Sequence, residues 1–247
     1  MYLQKALILF FMTLFTLVAQ AETKPKVRPP NLNVLTDPAV KGGPQINRPC
    51  LSCNHDLQGL TLSFFDSDAD CTDFIHRNGA YGPWGTVAET YLDNLGPQSH
   101  MFKKDRPGMT GPGGICPNWN TLTFRQKKHF WVWTLASLAW DESTCKASSR
   151  NSRATDGVAV GLLQLPEAKS SRSWRGPNCK VKSVADATNN IKCGLDILSE
   201  LMLGKEGEYK SNGKLYGSGS SSYWANFRQK KGGDAGSLIR EFSACKF

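Results

Sequence analysis

One carboxyl stands out for the chemistry its surroundings would impose on it. In Trp140-Asp141-Glu142-Ser143, Glu142 follows Leu138 by four residues, Leu135 by seven and Trp131 by eleven. On a continuous helix these residues share one face. A carboxyl at the end of a buried apolar stripe is costly to ionise, so the Glu142 pKa is expected to rise and the group to stay protonated. A carboxylic acid still protonated near neutrality is a proton donor, suited to general acid catalysis at a leaving oxygen. The plainer alternative is a partly exposed glutamate in a last helical turn, paired with Lys146.

For Glu142 to be buried, a helix must carry it into a core. Thr123 and Gln126 form a T-x-x-Q capping box. The run from His129 to Trp140 beyond it is apolar nearly all round, which predicts a helix at the centre of a domain. A second helix is predicted over Val184 to Leu203, where Ile191, Leu195, Leu198 and Met202 recur at spacings of three and four and Gly204 supplies a stop. Val87 to Leu95 also has helical spacing, and a short final helix is predicted over Ala235 to Phe242. Gly108 to Gly114 and Gly217 to Ser222 are loop segments. Strand signals are weak apart from a short ribbon around Val158 to Leu165. The fold class is therefore mainly α with a small β element.

The N-terminus bears on the compartment. Lys5, the apolar run Ala6 to Val18 and the small-x-small site Ala19-Gln20-Ala21 predict a signal peptide, residues 1–21, cleaved after Ala21. Residues 22–49 are proline-rich and aperiodic, a flexible lead-in, and residues 50–247 form the remaining domain, with 50–116 either an extension or part of its fold. A secreted or periplasmic protein is expected, monomeric, with no membrane span after cleavage. Its eight cysteines then predict disulfides, in any of 105 pairings. Cys50-x-x-Cys53 lacks the flanking strand and helix of a redox motif. Cys50, Cys53, His55, Cys71 and His76 are too irregularly spaced for a zinc site, and Asp66 to Asp70 starts like a calcium loop but has Cys71 and Arg77 where the Gly and Glu belong. No metal or cofactor is expected. A net charge of +9 suits anionic partners such as cell-wall polymers. Nothing has the form of an RNA-binding motif or zinc finger, so no nucleic acid partner is expected.

Three motifs occur in order: Glu142-Ser143 at a helix end, Gly161-Leu162-Leu163-Gln164-Leu165-Pro166, and Asn190-Ile191-Lys192-Cys193-Gly194 on a helix. Together they span roughly Leu122 to Leu203. In this the chain resembles the lysozyme superfamily, in particular goose-type lysozymes and soluble lytic transglycosylases. The resemblance implies a lysozyme-like α+β fold and a glycosidase acting on peptidoglycan between N-acetylmuramic acid and N-acetylglucosamine. Glu142 would be the acid, with Ser143, Gly161 and Gln164 at the substrate. Gly161 would let backbone approach a sugar ring or a neighbouring strand, and Gln164 can donate and accept hydrogen bonds together. Asp156 lies in the loop from which goose-type enzymes hold a water, the arrangement inversion requires; Asp-Gly is equally a turn pair. Glu167 is a second choice for that task. Without a held water, the sugar's own hydroxyl would close to an anhydro product, as in a lytic transglycosylase.

The transglycosylases also place a tyrosine beside the acid. Tyr223 stands in the nearest segment, Ser222 to Asn226, although Trp224 replaces the usual Asn. Trp174 and Trp224 are potential stacking platforms for sugar rings. Some enzymes of this fold act on N-deacetylated glycans, among them chitosanases and a deacetylation-specific lysozyme of predatory bacteria. A cationic sugar would call for a further acidic group, for which Asp141 and Asp156 are available. A non-catalytic wall-binding module is the competing reading.

Overall fold

The computed structural model describes residues 71–246, apart from 77, 156, 182 and 229–232. The expected signal peptide and lead-in, Cys50, Cys53, the Asp66 to Asp70 segment and Asp156 lie outside the described residues.

Five helices and a three-stranded sheet are described: α1 (Pro83–Leu95), α2 (Phe124–Ser143), β1 (Arg150–Asn151), β2 (Ala159–Val160), β3 (Leu165–Pro166), α3 (Ala187–Leu203), α4 (Ala225–Arg228) and α5 (Gly233–Arg240). The capping box forms as predicted: Gln126 N–H donates to the Thr123 hydroxyl at 3.2 Å and Thr123 N–H donates to Gln126 Oε1 at 3.0 Å. Two otherwise orphaned donors at the start of α2 are thereby satisfied.

Beyond that cap α2 is buried on every side. Phe130, Trp131, Val132, Trp133, Leu135, Ala136, Leu138 and Ala139 have no exposed surface. Phe130 meets Trp119, Trp131 and Phe242 edge-on, contacts that add about 0.5–1.5 kcal/mol each beyond their area. Both flanking helices, α1 and α5, pack on α2, and α1 also packs on α3.

Among the described residues, three disulfides join Cys71 to Cys145, Cys116 to Cys245 and Cys179 to Cys193. Cys71 is thus no metal ligand. The first disulfide ties the segment preceding α2 to the residues just past that helix. The second ties the same segment to the C-terminal turn.

α3 begins, and α5 both begins and ends, away from the predicted bounds, while α3 ends at Leu203 as predicted. Asp186, not Val184, caps α3, accepting from Asn189 N–H. Val184 lies outside the helix, and its carbonyl accepts from the Asn190 side chain. At the C-terminus α5 stops at Arg240, and Phe242 is held in a tighter turn by its bond to Ile239 O. The predicted ribbon is an antiparallel sheet in the order β1-β2-β3, with Arg150 opposite Val160 and Val160 opposite Leu165. Among the described residues no helix is long and apolar enough to cross a membrane.

Candidate active site

Glu142 occupies the last turn of α2. The helix ends abruptly behind it, because Thr144 and Cys145 both adopt left-handed backbone, each at φ 54°. Two consecutive non-glycine residues there cost about 1–2 kcal/mol each. Three constraints hold them: Thr144 N–H donates to Trp140 O, Cys145 N–H donates to Ala139 O, and Cys145 is bonded to Cys71.

Past this break the chain returns through the sheet. Residues 161–164 form the turn between β2 and β3, with Gly161 at φ 75° and Gln164 at φ 48°. The turn is clamped from three sides. Ser143 Oγ–H is shared between Ala139 O and Leu162 O, at 2.9 and 2.8 Å. Asn190 of α3 is fully buried; its Oδ1 accepts from Leu163 N–H at 2.8 Å and its Nδ2 donates to Val160 O at 3.0 Å. Trp224 Nε1–H donates to Leu163 O at 3.1 Å. Gln164 secures the turn from within, donating from Nε2 to Gly161 O at 2.9 Å.

Glu142 and this turn border a cavity of about 420 Å³. β1 and the loop after it contribute Asn151, Ala154, Thr155 and Gly157; β2, the turn and β3 contribute Ala159, Gln164 and Pro166; α4 and the two residues before it contribute Tyr223, Trp224, Ala225 and Arg228. Glu142 is the only carboxylate of the lining among the described residues. Burial, and secondarily the charge of Asp141, push its pKa up to about 7. It makes no ion pair with Lys146. Instead Asn226 Nδ2 donates to Glu142 Oε1 at 3.1 Å. The carbonyl oxygen of a carboxylic acid is the better acceptor, so this bond favours a proton on Oε2. Glu142 thus combines a retained proton with a defined orientation beside open space. Of two other hollows, that around Lys214 and Arg240 has no carboxylate among its described lining residues, and in that around Tyr91 the carboxylates of Asp196 and Glu200 are engaged in hydrogen bonds.

The predicted site residues divide. Glu142, Gln164 and Tyr223 meet at the cavity. Asp156 is outside the described residues, although its neighbours Thr155 and Gly157 line the wall. Ser143 and Gly161 are buried and lie off the lining. The close neighbour at Gly161 is Asn190, whose Nδ2 would sit 2.5 Å from an added Cβ. Glu167 is committed to Arg150, with two bonds of 3.2 and 2.7 Å. Asn226 donates to Glu142, and the Tyr223 ring lies against the Arg175 guanidinium at 4.4 Å. Trp224 is 3 % exposed and braces the turn rather than offering a platform. Asn226 fell within the segment considered, but sequence spacing alone gives no sign that the start of a four-residue helix meets a residue 84 positions earlier.

The fold that carries this site is shared with known proteins. The Transglycosylase SLT domain family matches residues 122–237. Among solved structures, wild-type Bd0314 DslA superposes with a TM-score of 0.50 at 24% identity, over 66% of this chain and 91% of that one. A glutamate-to-glutamine mutant of the same protein gives 0.52 at 23% identity with the same coverage. The fold is lysozyme-like. A search of curated protein sequences finds no match. The matched span runs from just before α2 into α5, and so includes every described residue of the cavity lining. The segment from Cys71 to Thr121 falls outside it.

Proposed function

We propose that the chain is an exported glycosidase that cleaves β-1,4 linkages between N-acetylmuramic acid and N-acetylglucosamine in peptidoglycan, with Glu142 as general acid. The observation that carries this reading is a half-buried carboxyl, its pKa pushed up to about 7, facing a 420 Å³ cavity on a lysozyme-like fold. Protonating the glycosidic oxygen is the step such a group performs. Gln164 and Tyr223 line the same cavity and are the groups proposed to contact the sugar. Export is part of the proposal, and three disulfides fit an oxidising compartment.

Hydrolysis is the preferred outcome, with Asp156 holding the attacking water opposite Glu142. The match to a family described as transglycosylase favours a second reading, in which the substrate's own hydroxyl attacks and an anhydro sugar forms. The two differ by one water in the product. Mass spectrometry of fragments released from purified sacculi, native and chemically N-deacetylated, tests both. Reducing ends support the hydrolase, and products one water lighter support the transglycosylase. Release only from deacetylated walls would shift the substrate to N-deacetylated strands. No release, with binding retained, would refute catalysis and leave a wall-binding module.

A further inference from the structure

A second hollow continues the Glu142 cavity. It measures about 330 Å³ and shares Tyr223 and Arg228 with it. Its floor is an aromatic pair, Trp174 and Tyr209, stacked at 4.3 Å with their planes 25° apart. Tyr209 is 45 % exposed, while the other described aromatic rings are buried or partly buried. Arg175 is only 3 % exposed, and its guanidinium lies 5.1 Å from the Trp174 ring and 4.4 Å from the Tyr223 ring. Arg228 is exposed and forms no ion pair among the described residues. No carboxylate lines this hollow among the described residues.

The shelf is also held in advance. Its two aromatics come from separate loops, and both loops are anchored one helical turn apart on α3. Asp196 accepts from Asn178 N–H at 2.7 Å and from Asn178 Nδ2 at 3.0 Å, just after Trp174 and Arg175. Glu200 Oε1 accepts from Tyr209 N–H at 2.9 Å. The Cys179–Cys193 disulfide fixes the first loop again. An exposed ring kept rigid beside guanidinium groups has the composition of a binding surface rather than of a core.

We infer that the shelf formed by Trp174, Tyr209, Arg175 and Arg228 is a substrate-binding extension of the Glu142 cavity that takes a carboxylate-bearing saccharide unit. The sugar's apolar face stacks on Tyr209 and its carboxylate meets Arg228. The inference rests on the glycosidase reading, and it sets a charge preference: the exposed Arg228 guanidinium, with no ion pair among the described residues, favours a carboxylate over an ammonium sugar. The carboxylate can belong to a lactyl group or to a peptide stem, and both offer the same partner to a guanidinium.

The test uses the full chain carrying Glu142→Gln, which leaves strands uncut, and measures its affinity for three soluble glycans of equal length. These are peptide-bearing strands, peptide-free strands with free lactyl carboxylates, and chito-oligosaccharides with no carboxylate. Adding Arg228→Gln is expected to weaken binding of a carboxylate-bearing glycan roughly tenfold and to leave the chito-oligosaccharide within about twofold. Whichever strand loses affinity identifies the carboxylate source. Adding Tyr209→Ala is expected to weaken all three. Equal loss on all three glycans with Arg228→Gln, or no loss with either variant, would overturn the shelf while lysis of sacculi by the unmutated protein kept the glycosidase reading intact. A protein that neither lyses nor binds sacculi would remove both.

Discussion

From Cys71 to Thr121 the chain is tied to the rest by two disulfides, by apolar packing and by polar bonds outside the cavity lining, such as Tyr91 on Asp196 and Lys128 on Asp93; from Leu122 onward single polar groups set the parts near the cavity. The first region gives the core Phe74, Ile75, Met101, Phe102 and Trp119, all buried, and one cysteine to each of two disulfides. None of its described residues lines the Glu142 cavity. The second region sets its geometry by hydrogen bonds made one at a time: Asn226 on Glu142, Ser143 on Leu162, Asn190 on Leu163 and Val160, Trp224 on Leu163. Apolar packing is non-directional and tolerates swaps of similar volume. A hydrogen bond fails when one atom is removed, and it leaves its partner buried and unsatisfied. Substitutions should therefore act on stability in the first region and on the reaction in the second.

The largest effect that would sharpen this contrast is Glu142→Gln. Removing a general acid costs about 10²–10⁴-fold in rate, read as loss of turbidity clearance of sacculi with an unchanged circular dichroism spectrum. Lysis at the parental rate would end the role assigned to Glu142. Stability should move the other way. A carboxyl whose folded pKa is raised from 4.5 to about 7 contributes its full stability below pH 4.5 and loses it as pH rises through 7. The amide carries no such loss, so at pH 8 the variant should be more stable by on the order of 1–3 kcal/mol. That margin should vanish near pH 4.

Gly161→Ala should be the most disruptive small change in the second region. It forces a β-carbon into left-handed backbone and against Asn190, 2.5 Å away. Losing the turn's clamp should cost roughly 2–4 kcal/mol, seen as a lower melting temperature. It should also cost lytic activity through displacement of Gln164 even where the protein is folded. A folded variant with parental activity would show that the turn does not position the site.

Legibility in the sequence divides along the same line between local and long-range contacts. The course of α2 and the burial of Glu142 were legible because capping and helical periodicity are local: Thr123, Gln126 and the stripe from Trp131 to Leu138 lie within one element. The Gly161 to Leu165 turn was legible as a motif, but its meaning was not, since the atom that forbids a side chain at Gly161 belongs to a helix 29 residues later. Likewise Gly194 of the third motif makes room for Leu163, whose Cδ1 would lie 2.2 Å from an added Cβ. The pairing of Cys71 with Cys145, the approach of Asn226 to Glu142 and the meeting of Trp174 with Tyr209 all depend on how elements pack, which no spacing along the chain records.

One covalent bond crosses between the regions close to the acid. Replacing Cys71 and Cys145 together with serine should cost about 2–4 kcal/mol, measured by denaturant unfolding under oxidising conditions. If the disulfide serves only the fold, lytic activity of the folded variant should stay within about threefold of the parent. A much larger loss would break the contrast, because Cys145 sits three residues past Glu142 in left-handed backbone, and the first region would then be helping to place the acid.

The smallest expected effect is the most specific to the site. Asn226 donates to Glu142 Oε1 and so favours the ionised form. Removing the donor by Asn226→Ala should raise the Glu142 pKa further above its present value of about 7. Since the acid works only while protonated, activity falls on the alkaline side of that pKa. The variant's alkaline limb should accordingly shift upward by about half a pH unit, equivalent to roughly 0.7 kcal/mol, while its maximal rate drops several-fold for want of orientation. A general destabilisation would lower activity at all pH values and leave the limb in place. A downward shift would mean that Asn226 holds the protonated acid rather than the carboxylate, and the proton would then have to be assigned to Oε1.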